Sequence, residues 1–315
     1  MNIKKINMMF LVTVLISLTA SLLPLGHMFS DYGARLLFSE ILLAAPGAAW
    51  IFAGKRNYVR TVRLKKIHGS TVVMLILFVI SIMPLMSLIN AISMLFVENS
   101  TTTSMAQVVS GHSFLVSLIL IALLPAILEE SVYRGLFYNE YRKVAPLGGL
   151  LLSAFLFGIM HANWNQFSYA FAMGMVFCLI IEATDSILSS MILHFCINGS
   201  SVVLLSAMEV LSEHFPQQVE EALLEVGDMS AQTLRSILRT YLPMALVGTA
   251  IAAVVFRQIA IKEGRLEAVR ALFRRGGLDA SGKPCEGGQG SKLCSIPLIV
   301  AIAILLVLMV LNEVL

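Results

Sequence analysis

Residues 113–138 read SFLVSLILIALLPAILEESVYRGLFY, and this stretch decides the fold. Its first part, from Ser113 to Leu128, carries no charge. The whole run is long enough to cross about 30 Å of hydrocarbon as a helix. Two adjacent acids, Glu129 and Glu130, and a base, Arg134, follow inside the same apolar run. Lipid makes such groups expensive, so an intramembrane cluster of them is by default a functional site.

Comparable apolar runs recur at about 7–28, 33–53, 70–96, 147–162, 167–184, 187–209, 238–256 and 295–313, which makes nine segments. The chain of 315 residues is 58% hydrophobic and 13% charged, with a mean hydropathy of +0.86. A soluble domain carries about 25% charged residues. In a bilayer each spanning segment must satisfy its own backbone, and the short alternating strands of a barrel are absent. The expectation is an all-α polytopic membrane helix bundle with about eight to nine transmembrane helices. It divides into N-terminal helices (1–110), core helices bearing the polar motifs (111–210), an outer acidic loop with the eighth helix (211–256), a basic linker (257–294) and a last helix (295–315).

Positive charge sets the expected orientation. With the N-terminus in the cytoplasm, eighteen of the 22 Lys and Arg fall inside, in groups around Lys4, Lys55–Lys66, Arg142–Lys143 and Arg257–Lys292. Only Arg35, Arg235 and Arg239 fall outside, and Arg134 belongs to the motif. The expected location is the plasma membrane, with lipids and a membrane-associated peptide or protein as partners. No basic block interleaved with aromatics points to nucleic acid.

The remaining features read more simply. The MNIKK start and the run that follows resemble a signal peptide, but the run is too long and lacks a clear cleavage site, so a retained helix is expected. Residues 257–275 alternate apolar and basic side chains, as an amphipathic helix on an anionic leaflet or as an extension of helix eight would. Residues 276–290 form a Gly-rich linker, and the loop 212–236 reads as an acidic, solvated cap. Cys178 and Cys196 lie in apolar helices as small hydrophobes. Cys285 and Cys294 lie on the cytoplasmic side, where thiols stay reduced. Glu40, Glu182 and Asp185 are expected at helix ends, facing water.

Spacing separates the two acids. Glu130 and Arg134 are four apart and share a helix face, whereas Glu129 is rotated by about 100°. Glu130 is therefore expected to pair with Arg134. Glu129 is left in a low-dielectric site beside another acid, placed to act as a general base. Phe157 and His161 are also four apart, so the ring can pack under the imidazole. His194 and Asn198 project from one face in the same way. Pro125, four residues before Glu129, can kink its helix and free a backbone carbonyl, opening a wet pocket beside the acids. Helical rise puts Glu129 about 15 Å, His194 about 10 Å and His161 about 21 Å from the inner ends of their segments. The third lies high unless its segment is tilted or begins below the membrane surface, for which Arg142 and Lys143 leave room.

EExxxR, FxxxH and HxxxN, in that order within helices, resemble the CPBP family of CAAX-type intramembrane endopeptidases and bacteriocin-processing or immunity proteins. The resemblance covers about residues 113–205. It implies peptide-bond hydrolysis inside the membrane, with Glu129 as the catalytic acid of its motif alongside Glu130 and Arg134. Glu129 and His161 would activate a water, and His194 and Asn198 would stabilise the oxyanion. No cofactor is required by that reading. The family is also called metallo, and a divalent ion such as zinc would take Glu129, His161 and His194. Two other functions compete: a proton-coupled transporter, for which paired broken repeats are missing, and a catalytically silent scaffold or immunity protein, which should have lost a key residue.

Overall fold

The computed structural model describes residues 3–22, 29–97, 100–216, 231–273 and 293–314. Among them there is no strand. Ten helices carry the architecture: α1 (Ile3–Leu22), α2 (Tyr32–Ala53), α3 (Gly69–Ser93), α4 (Phe114–Tyr141), α5 (Pro146–Ile159), α6 (Trp164–Thr184), α7 (Ile187–His214), α8 (Ala231–Lys262), α9 (Leu266–Leu272) and α10 (Ile296–Val314). Eight are long and apolar enough to span a bilayer: all except α5 and α9. A polytopic helical bundle is therefore what the sequence builds.

The fifth apolar run departs from its expected length. α5 has 14 residues, about 21 Å of rise, and it stops at Ile159. Its backbone turns at His161 and Ala162, where Ala162 takes a left-handed φ of 50°. α6 then starts on the Asn163 side chain, which accepts from the Gln166 N–H at 2.9 Å. The run 147–162 is continuous in composition, but this cap cuts it short of a full span. α5 and α6 thus form a tight hairpin. At its contact a Cβ on Gly174 would come within 2.8 Å of the Ala154 Cα, so only glycine allows the approach.

α4 is not a uniform helix. Two π-helical stretches, Leu118–Leu123 and Ser131–Tyr138, flank a short α-helical piece, Leu124–Glu130. Wider turns of this kind shift side-chain directions and are frequent at functional sites. They leave Glu129 and Glu130 at the end of the regular α-helical piece between them.

The end of the molecule that carries the basic residues is closed. Tyr138 donates to Glu182 at 2.8 Å, and Arg142 pairs with the same carboxylate at 2.5 Å. Tyr141 donates to Asn7 at 2.7 Å, and Asn7 ties α1 to the start of α10 through the Leu293 carbonyl and the Ser295 hydroxyl. Arg63 and Lys65 both pair with Asp185 between α6 and α7. Glu182 is buried in this network, which corrects the expectation that it faces water. Asp185 keeps partial exposure.

The basic segment after helix eight also differs from a leaflet-bound helix. α8 continues to Lys262, and α9 buries Val269, Ala271 and Leu272 against the protein, beside α6. Its apolar face is used for packing within the bundle. The last helix, α10, packs on α1 and α5. The Asn312 side chain donates to the Ala162 carbonyl at 3.0 Å and so fastens the turn after α5. The Gly-rich linker, Cys285 and the acidic stretch containing Glu220, Glu221, Glu225 and Asp228 lie outside the described residues.

Candidate active site

Glu130 and Arg134 sit one turn apart on α4 and are both buried, with Nη1 to Oε1 at 2.9 Å. Burying an ion pair costs desolvation and is tolerated only when the geometry is good and other groups share the charge. Here the guanidinium also lies 4.1 Å from the Phe157 ring centre and 5.0 Å from that of Phe177. These cation–π contacts carry part of its solvation. Glu130 Oε1 is shared with His194, whose Nδ1 is 3.1 Å away.

His194 is the junction of the site. Its Nδ1 faces Glu130, and its Nε2 lies 3.5 Å from Glu129 Oε2. Its ring stacks on Phe177 at 5.3 Å between centres and meets Phe157 edge-on at 6.0 Å. The ring therefore cannot swing, and α7 delivers it into α4 at a fixed angle. The residue four positions on, Asn198, donates to the Ile121 carbonyl at 3.0 Å.

His161 stands beyond the end of α5. Its Nδ1 lies 2.8 Å from the Phe157 carbonyl. A carbonyl only accepts, so Nδ1 carries the hydrogen, and in the neutral ring Nε2 is left as an acceptor. Phe157 packs edge-on against it, with ring centres 5.2 Å apart, as the FxxxH spacing predicts. His161 lies just past the end of α5, in the turn before α6, and lines the cavity.

A cavity of about 690 Å³ gathers these groups. Glu129, His161, His194 and Asn198 all line it, together with Phe157 and Pro125. Glu130 and Arg134 sit behind the wall as support. The structure thus brings together the members of all three motifs.

Two further residues face the same space and escaped sequence reasoning. Glu40, on α2, lines the cavity 93% buried, and its Oε2 has no hydrogen-bond partner. This places it inside α2 and facing the cavity, where the expectation was a helix end. Tyr133, on α4, also lines the cavity with an unpartnered hydroxyl. The signal for Glu40 was available, since an isolated acid in the apolar run 33–53 carries the same lipid penalty as the motif acids. Tyr133 gave no signal, because a tyrosine in a membrane helix is ordinary.

Among the described residues no three His, Cys, Asp or Glu side chains are arranged to hold an ion. Nδ1 of each histidine is held, by the Phe157 carbonyl in one case and by Glu130 in the other, an arrangement that orients Nε2 toward a metal as readily as toward a water. Glu129, His161 and His194 share a cavity without forming a ligand shell.

These features define a helical membrane protein with a cavity lined by acid, imidazole and amide groups drawn from separate helices. Residues 111–200 match the family model described as type II CAAX prenyl endopeptidase Rce1-like. The match is consistent with the CPBP, or CAAX protease, family named by the motifs, and at family level it supports a CAAX-protease-like intramembrane endopeptidase. It covers under a third of the chain and includes all six motif residues that could act in catalysis. Neither curated proteins nor solved structures returned a match.

Proposed function

We propose that this protein hydrolyses a peptide bond of a membrane-associated peptide or protein, using a water held between Glu129 and His161. The observation that carries the reading is the convergence of Glu129, His161, His194 and Asn198 on one cavity inside the bilayer-spanning core. Water outside such a site is scarce, so the cavity also sets where hydrolysis can occur.

The roles follow from the hydrogen bonds. His161 Nε2, left as an acceptor, takes a hydrogen bond from the water. Glu129 takes its proton as the oxygen attacks the scissile carbonyl carbon. The negative charge that develops on the carbonyl oxygen is met by His194 and Asn198. Glu130 faces Nδ1 of His194 and Glu129 faces Nε2, and a hydrogen carried on Nε2 would be the donor to the oxyanion. One Asn198 hydrogen is used on Ile121, which leaves the second for the oxyanion. Collapse of the intermediate breaks the C–N bond, and the proton held by Glu129 passes to the departing amine. The products are a carboxylate and an amine. Such donors are each worth about 3–4 kcal/mol in the transition state.

The test is a set of Glu129→Gln, His161→Ala and His194→Ala variants of the full chain, scored for cleavage of a membrane peptide and for abundance in the membrane. Lost cleavage at unchanged abundance supports hydrolysis by these groups. Retained cleavage contradicts it. Activity that disappears with a chelator and returns with zinc would replace the metal-free mechanism with a metal-dependent one.

A further inference from the structure

We infer that the cavity opens on the face of the membrane opposite the cytoplasm, so that the scissile segment of the substrate is extracytoplasmic. This inference rests on the hydrolytic reading of the cavity and adds the side from which substrate reaches it.

Three observations converge. First, the exposed part of the cavity wall belongs to one end of the bundle. Tyr32 and Arg35 at the start of α2, Ser104 on the helix Ser100–Gly111, and Gln166 at the start of α6 all line it. So does Asn312 at the end of α10. Second, among the described residues none from the other end lines it. That end is sealed by Phe137, Tyr138 and Tyr141, all fully buried, and by the Tyr138–Glu182–Arg142 network beneath them. Third, the sealed end is the basic one. It carries Lys4, Lys5, the cluster Lys55–Lys66, Arg142, Lys143 and the start of the 257–275 segment. Lys and Arg near helix ends are retained in the cytoplasm, so the sealed end is cytoplasmic and the open end faces outward.

The consequence concerns substrate class. A lipidated C-terminal tail held at the cytoplasmic surface would meet the closed end and would lie a full bilayer from the mouth. A peptide or membrane-anchored protein whose cleavage segment emerges on the outer side reaches Arg35 first, and Glu40 about 7–8 Å deeper along the same helix. The polar path then continues to Glu129.

Orientation and opening are read by thiol labelling of whole cells with a membrane-impermeant maleimide. Cys294, exposed at the sealed end, is the internal reference, and Ser104→Cys supplies a thiol at the mouth. The expected result is that the Ser104→Cys chain labels in intact cells, while the unsubstituted chain labels at least tenfold more after permeabilisation than before. Labelling of the unsubstituted chain in intact cells, with no gain from Ser104→Cys until permeabilisation, overturns the inference. A second arm uses two single-span reporters that carry the same apolar segment, with the cleavable half turned outward or inward. Cleavage of the outward reporter alone is expected. Cleavage of the inward reporter alone overturns the inference and leaves hydrolysis standing. Cleavage of neither, with the labelling as expected, contradicts the hydrolytic reading instead.

Discussion

The Asn198 amide donates to the backbone carbonyl of Ile121 at 3.0 Å. In a regular helix that carbonyl would accept from the N–H at position 125, and Pro125 has none. α7 thus supplies from outside the proton that α4 lacks, at the point where α4 leaves π-helical geometry. Asn198 is anchored at the turn that Pro125 leaves without a backbone donor. Asn198→Ala should leave a buried carbonyl unpaired and cost about 1–3 kcal/mol. The Pro125→Ala background restores a backbone donor, so the same substitution there should cost less than half as much. Thermal unfolding of the four purified proteins in detergent measures the difference. Equal losses in both backgrounds would rule out the compensation.

Arg134 holds Glu130 in a place without water, and neither can be removed alone at low cost. Arg134→Met should destabilise the protein by about 3–5 kcal/mol, since it strands a buried carboxylate. Its membrane abundance should fall accordingly. Arg134→Lys keeps the charge but loses the planar contacts with Phe157 and Phe177, and should fall between wild type and Arg134→Met. Quantitative immunoblotting of membranes, followed by unfolding in detergent, checks the order.

Glu40 should matter to cleavage more than to folding, because its Oε2 is unpartnered within the cavity. Glu40→Gln is expected to lower the cleavage rate by roughly tenfold or more, about 1.4 kcal/mol of barrier, with the unfolding temperature little changed. Wild-type cleavage by this variant would remove Glu40 from the site.

Asp185 gives a pH signature at the basic end of the bundle. Partial burial pushes its carboxyl upward, but Arg63 and Lys65 outweigh this and hold it down to about 2. An unperturbed aspartate titrates near 3.9. A carboxyl held lower in the folded state adds stability above its unfolded value, and that stability is lost as pH falls toward the folded value. Wild type should therefore lose more unfolding temperature than Asp185→Asn between about pH 4 and pH 2. Parallel curves for the two proteins would contradict the pairing.

Much of this site could be read from spacing alone. Glu130 with Arg134, Phe157 with His161, and His194 with Asn198 each sit four apart, and helical geometry converts that interval into contact or a common face. Convergence of three helices on one cavity was an expectation that no single interval encodes. The length of α5 was not legible, because the run 147–162 is apolar on both sides of Ser153 as far as His161, and only the Asn163 cap and the Ala162 turn end the helix. The π-helical turns of α4 leave no compositional mark. The role of α10 was hidden for a different reason: Asn312 and Ala162 are 150 residues apart, and their contact belongs to tertiary packing.

The central claim is that Glu129 takes the proton of the attacking water. Its most direct test is the single-turnover cleavage rate of Glu129→Gln, compared with wild type at matched membrane abundance and unfolding temperature. The account predicts a loss of roughly 10²–10⁴-fold, the usual worth of a general base. A rate within a few fold of wild type would contradict it.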